Sequence, residues 1–178
     1  MKTTHDIRTA PQREQSRISC RNYCAASLAI ANPPFWDNQI NNSTRFKVLN
    51  DFNNAAVYDK ETGLVWEQSP DNTGNWLGAL LLCYNKEVGA RKGWRLPTIE
   101  ELASLVNTSN SSPALPTGHP FTLTSAQEDG FYWSATSREV DTAFHLNFDF
   151  GVTPVSAKSN IFFVWCVRGG QGIHGPVQ

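Results

Sequence analysis

Apolar positions along this chain follow first one period and then another. Val57-Tyr58 and Leu64-Val65-Trp66 flank Asp59-Lys60-Glu61-Thr62-Gly63, a glycine-closed turn between two β-prone runs, which predicts a hairpin. The period then lengthens. Trp76, Ala79, Leu80 and Cys83 fall at i, i+3, i+4 and i+7 behind Asn75, a residue suited to capping. This spacing predicts a helix from Trp76 to about Lys86 whose buried stripe carries Cys83 inward. Gly89 and Gly93 close that region. Thr98 and Glu101 then form a T-x-x-E capping box, predicting a second helix from Ile99 to about Val106 that buries Ile99, Leu102, Leu105 and Val106.

Beyond Val106 the pattern changes again. Asn107 to Gly130 is rich in Ser, Thr and Pro and is too long for an ordinary connector, so it is expected to be a structured loop excursion. Tyr132-Trp133-Ser134-Ala135 reads as a strand. Phe144, Leu146, Phe148 and Phe150 alternate with His145, Asn147 and Asp149, a period-2 strand with one wet face. Gly151 is expected to turn the chain, with Val152 to Val155 returning as a partner limited by Pro154. The apolar run Ile161 to Val167 fits one strand at the sheet's centre. A hairpin, two helices, loops and then strands give an α+β fold with a largely antiparallel sheet.

The ends read differently. Pro33-Pro34, Trp36-Asp37-Asn38 and Asn41-Asn42-Ser43 are linker chemistry. Residues 1–44 are therefore an N-terminal arm or a signal and linker region, 45–170 the folded domain and 171–178 a tail. Lys2, Arg8, Arg13, Arg17 and Arg21 precede the apolar run Tyr23 to Ala31, and Ala29-Ile30-Ala31 matches an A-x-A cleavage pattern. The run is short and Asp6 and Glu14 dilute the basic stretch, so an uncleaved arm is the alternative. Cys20 and Cys24 lack metal-site spacing and read as bystander thiols. Cleavage would leave Cys83 and Cys166, an even pair suited to one disulfide.

Composition narrows function. The 178 residues carry 15 Lys+Arg against 16 Asp+Glu, a net charge of -1, without the clustered basic charge of a nucleic-acid binder. No apolar run approaches the ~20 residues that span a bilayer. Only 17% of residues are charged, below the ~25% of an average soluble domain. Polarity comes instead from Asn, Ser and Thr. Among the 6 Trp, Trp66, Trp76, Trp133 and Trp165 sit on predicted elements and Trp94 in the phrase Gly93–Thr98; these five are expected in the core, so they say little about sugar stacking.

Several phrases then coincide. Asp59 to Trp66 follows a D-x-x-T-G-L-x-W pattern. It is followed by Ala79 and Cys83, by Gly93-Trp94-Arg95-Leu96-Pro97-Thr98 with Glu101-Leu102, by Tyr132-Trp133-Ser134, and by Cys166-Val167-Arg168-Gly169-Gly170. Over about Val57 to Gly170 the chain resembles the C-terminal domain of the Legionella collagen-like protein. That resemblance implies a C-type-lectin-like fold related to the formylglycine-generating enzyme, with two helices, a twisted sheet, and a disulfide between Cys83 and Cys166. It also implies export to the cell surface or medium, since family members occur mainly in secreted or surface-attached bacterial proteins. The namesake resembles an adhesin for host polysaccharides, and related domains form receptor-binding tips. This chain departs from the namesake in having no collagen-like stalk.

Candidate chemistry is sparse. The E-P-N or Q-P-D loop and the W-N-D phrase of calcium-dependent lectins are not reproduced between Asn107 and Asn160. His5, His119, His145 and His174 are scattered, Glu100-Glu101 begins a helix, and Glu128-Asp129 lies in a loop, so neither catalysis nor a metal or cofactor is expected. Arg95 and Arg168 read as structural donors to loop carbonyls. The Asn107-Thr108-Ser109 and Asn110-Ser111-Ser112 acceptor patterns are common by chance. The candidate ligand-binding residues are Arg138, Glu139, Asp141, His145, Asn147, Asp149 and Lys158, on the loops and on the wet face of the late strands; solvating that face is their alternative role. The expected partner is a glycan or protein on a cell surface, with a homo-oligomer or filament assembled through the N-terminal arm as the rival.

Overall fold

A computed structural model describes residues 40–128 and 130–170. The signal reading, the arm as far as residue 39, Trp36, Cys20, Cys24, Asp129 and the tail lie outside the described residues.

The predicted hairpin is present: β2 (Ala56–Asp59) pairs antiparallel with β3 (Val65–Glu67). Asp59 organises the turn, accepting from the Glu61 amide at 3.1 Å and the Thr62 hydroxyl at 2.9 Å, and Gly63 supplies the positive φ of 72°. Ahead of it, α1 (Asn42–Arg45) leads into β1 (Phe46–Val48), which pairs with β2. With β9 (Val167–Arg168) beside β3, these strands form a sheet ordered β1-β2-β3-β9. A second sheet has the order β4-β8-β5-β6-β7, from β4 (Asn72–Gly74), β5 (Phe131–Ser137), β6 (Thr142–Asn147), β7 (Val155–Ala157) and β8 (Phe162–Val164). Every pairing is antiparallel except β5 with β8. The fold is thus α+β and rich in antiparallel pairs, but with two sheets where one was expected.

The first predicted helix is α2 (Trp76–Asn85), its Asn75 cap accepting from the Gly78 amide at 2.8 Å. Ala79 and Cys83 are fully buried, and Cys83 is disulfide-bonded to Cys166. The second, α3 (Ile99–Ala103), has both arms of the capping box but stops three residues early. Ser104 turns its hydroxyl back to the Glu101 carbonyl at 2.6 Å, and Leu105 and Val106 close i→i+3 bonds that tighten the last turn. Short α4 (Ser125–Glu128) lies within the long loop.

Two further strand expectations are corrected. The run Ile161–Val167 is not one strand. After β8, Trp165 donates its indole N–H to the Glu67 carbonyl at 2.8 Å and Cys166 is drawn to Cys83, so the chain crosses to the other sheet as β9. The 144–150 alternation also breaks off. β6 ends at Asn147, Phe148 is fully buried and Phe150 is 68% exposed. Nor is one face of β6 wet, because the five-stranded sheet carries a core on each side. Tyr132, Leu146 and Phe148 join Trp66 and Trp165 in one cluster, while Trp133, Ala143 and Val164 join Trp94, Cys83 and Cys166 in the other. Four tryptophans are buried as expected; Trp76 is only half-buried.

Candidate functional site

The β5–β6 hairpin projects Arg138, Glu139, Val140 and Asp141 into solvent, with Val140 96% exposed. Charged residues between two strand runs form such a tip, and a register shift between Trp133 and Ser137 bends it. Amides of Arg138 and Glu139 donate to the Thr142 carbonyl at 3.1 and 3.3 Å. Arg138 and Glu139 face each other at 3.9 Å with both side chains mostly exposed, a surface pair worth about 0–1 kcal/mol.

Beneath the tip sits Lys158. Its ammonium donates to the Ser137 hydroxyl at 2.7 Å and to the Glu139 and Val140 carbonyls at 3.0 Å. The same ammonium lies 4.2 Å from the centre of the Trp76 ring, a cation–π contact worth about 0.5–2 kcal/mol. Trp76 is itself fixed, its indole N–H donating to the Ser134 carbonyl at 2.8 Å and its amide to the Lys158 carbonyl at 3.0 Å. Lys158 therefore spends its donors on the hairpin and holds the tip in place.

The structure brings Arg138, Glu139, Asp141 and Lys158 together and separates the other three. His145 is 3% exposed, its ring packed against Phe162 at 4.6 Å and Phe131 at 5.4 Å and its Nε2 2.9 Å from the Ser156 hydroxyl. Burial pushes its pKa down to about 4, so the ring is neutral at pH 7. Asn147 is buried and accepts the Asp149 amide at 2.7 Å. Neither side chain lies on a wet face, because the second core covers the side on which they point. Asp149 is half-buried in the turn after β6, where its carboxylate accepts the Ser112 hydroxyl. Arg95 behaves as read, gripping Glu101 through two bonds and donating to the Gly169 carbonyl at 2.7 Å.

Two surface features escaped the sequence. A groove of about 420 Å³ runs between the end of β3 and the end of α2, lined by Glu67, Asp71, Lys86 and Glu87 among others. In it Lys86 pairs with the buried Glu67 and reaches Asp71 at 3.6 Å. Burial raises the Glu67 pKa above the usual carboxylate range, with Lys86 opposing the shift. A second, apolar groove of about 290 Å³ is bounded by Phe131, Ile161, Phe162 and Phe163. Ile161 lay in an apolar run that reads as core, and no periodicity separates a core residue from an exposed one at a strand's end.

Among the described residues, no group of three or more His, Cys, Asp and Glu side chains could hold a metal ion, and no helix is long and apolar enough to cross a membrane. Residues 55–168 match the profile of the Lcl C-terminal domain family. No curated protein matches the chain. The match spans more than half the sequence, and the chain belongs to the Lcl C-terminal domain family.

Proposed function

We propose that this member of the Lcl C-terminal domain family is a non-catalytic recognition module of an exported or surface-attached protein, binding a glycan or protein on a cell surface. Family membership supports the surface setting. The Cys83–Cys166 disulfide supports export, since such bonds persist in oxidising compartments. Two antiparallel-rich sheets, two capped helices and that disulfide are also what a C-type-lectin-like fold would require. The observation that carries the reading is the hairpin tip, in which Arg138, Glu139, Val140 and Asp141 are presented on a base that Lys158 and Trp76 make rigid. A pre-ordered loop loses little conformational freedom on binding, and an apolar residue ringed by charges suits a complementary partner surface.

The test is retention of the labelled full chain on cell surfaces, with a glycan array in parallel. Val140→Asp and the double variant Arg138→Ala, Glu139→Ala should lose most of the retention. Undiminished retention by both would remove the tip, and blank results across array and cells would remove the function.

A structural role in a filament or oligomer is the second reading. Leu77, Leu81 and Tyr84 are exposed at i, i+4 and i+7 on α2, an apolar stripe of the kind that packs against another chain. Light scattering of the full chain, of a Leu77→Ser, Leu81→Ser variant and of a chain lacking residues 1–44 would separate the stripe from the arm. A monomer in every case would end this reading.

A further inference from the structure

β7 ends the five-stranded sheet, with β6 on one side and, among the described residues, no strand on the other. It keeps one register against β6 along its whole length. The Lys158 amide donates to the Asp141 carbonyl at 2.8 Å and the His145 amide to the Pro154 carbonyl at 3.0 Å, while Asn147 and Val152 exchange bonds of 2.9 and 3.3 Å. Hydrogen-bonded pairs in an antiparallel ladder fall on alternate residues. Residues 152, 154, 156 and 158 therefore turn their backbone groups toward β6, and Thr153, Val155 and Ala157 turn theirs outward. The Ala157 carbonyl accepts the Asn160 amide at 3.0 Å; the other outward amides and carbonyls meet no partner among the described residues. Pro154 limits the strand only on its inner side. Its missing amide faces β6, so the outer edge is whole.

A row of unpaired amides and carbonyls takes an extended backbone. We propose that the occupant is β7 of a second copy, paired antiparallel about a two-fold axis at Val155, so that two five-stranded sheets become one. This register uses all three outward residues: Val155 faces Val155 of the second copy, and Thr153 faces its Ala157. A shift by two residues in either direction sets one of the three against the turn at Gly151 or at Ser159. β-branched residues pair well across strands, and from Val152 to Ala157 there is no charge to meet its like. Val152, Thr153, Pro154 and Ala157 are exposed there. Other edges are guarded. In the first sheet Val167 of β9 exchanges 2.9 Å bonds with Arg95. β1 turns Phe46 and Val48 outward, since the Leu49 amide donates to the Ala56 carbonyl and the Lys60 amide to the Arg45 carbonyl. Pairing both of those residues about a two-fold would set Lys47 directly against Lys47, which repels. The α2 stripe lies on a different element, so the β7 interface stands independently of it.

The experiment is sedimentation equilibrium of the full chain from micromolar to millimolar concentration, with Val155→Lys and Val155→Asp measured singly and mixed. The parent should reach twice the 19.8 kDa of one chain. Each variant alone sets like charges against each other across the two-fold and should weaken self-association by about tenfold or more. An equimolar mixture sets Lys against Asp and should recover it. Val155 belongs to neither buried cluster, and the amide spectrum of each variant reports that it folds. The Leu77→Ser, Leu81→Ser variant should dimerise as the parent does. A monomer at every concentration, a dimer indifferent to both Val155 variants, or no recovery on mixing would overturn the interface. So would a dimer that is lost in Leu77→Ser, Leu81→Ser, which would assign self-association to α2.

Discussion

The ammonium of Lys158 lies 4.2 Å from the centre of the Trp76 ring, joining a residue near the end of the domain to the first residue of α2. Through its three bonds to residues 137, 139 and 140, this one contact ties the hairpin tip to the helix. Lys158→Ala should therefore loosen the tip more than the fold. Amide exchange at Arg138 and Glu139 should accelerate measurably, while denaturant unfolding reports a loss of only about 1–2 kcal/mol. Unchanged exchange at the tip would show that Lys158 does not hold it.

Arg45 and Asp59 are both completely buried and meet through two bonds of 2.8 and 2.7 Å. Asp59→Ala removes the turn organiser and the shorter-range carboxylate from a buried guanidinium that also meets Glu61 at 3.6 Å and the Ser104 carbonyl at 2.8 Å. Breaking one side of such a pair costs about 3–5 kcal/mol. Urea unfolding of this variant should lie well below the parent's midpoint, and a loss under 1 kcal/mol would contradict the pairing.

Cys83 and Cys166 close a loop with a sequence separation of 83. In the chain-entropy account, a bond closing a loop of that size stabilises by about 4–5 kcal/mol. Unfolding with and without reductant, alongside Cys83→Ala, Cys166→Ala, should show a deficit of about 2–5 kcal/mol. Equal midpoints with and without reductant would contradict it.

His145 should make stability fall with acid. Its folded pKa is depressed to about 4 from 6.5, so the unfolded chain takes up the proton first. The contribution is complete above pH 6.5 and is lost as pH falls toward 4, up to an upper bound of about 3 kcal/mol. A pH series of melting temperatures should be flatter in that window for His145→Phe than for the parent. Parallel profiles would place the proton elsewhere.

Glu67 acts in the opposite sense. Its folded pKa is raised above 4.5, so the native state binds the proton first and this term grows more favourable as pH falls from the raised value to 4.5. The parent minus Glu67→Gln difference in stability should rise on acidification over that interval. A difference that falls instead would show Lys86 outweighing burial.

What the sequence disclosed was local. The Asp59–Gly63 turn, the Asn75 cap and the Thr98/Glu101 box all rest on residues within four positions of each other, and all are present. The exposure of Arg138, Glu139 and Asp141 was also legible, because a charged run between two strand patterns needs no distant partner to stay exposed. Alternation around His145 and Asn147 identified two faces of a strand but could not reveal that a second core covers the one taken as wet. An unbroken apolar run from Ile161 to Val167 equally carries no mark of where the chain leaves one sheet for another. Lys158 over Trp76 and Lys86 beside Glu67 depend on segments that meet only in three dimensions, so the sequence carried no sign of either contact.

The placement of β9 bears on the order in which the domain can form. β3 has β9 as its outer neighbour, and Cys166 immediately precedes that strand. Both the completion of the first sheet and the covalent closure of α2 therefore wait for residues 166–168. A chain emerging from a ribosome or a translocation pore has its hairpin and helices in hand while its last partner is still missing. Long-range pairings of this kind close slowly. Such a domain commits to its fold only after nearly all of it has arrived, which keeps the chain threadable until then.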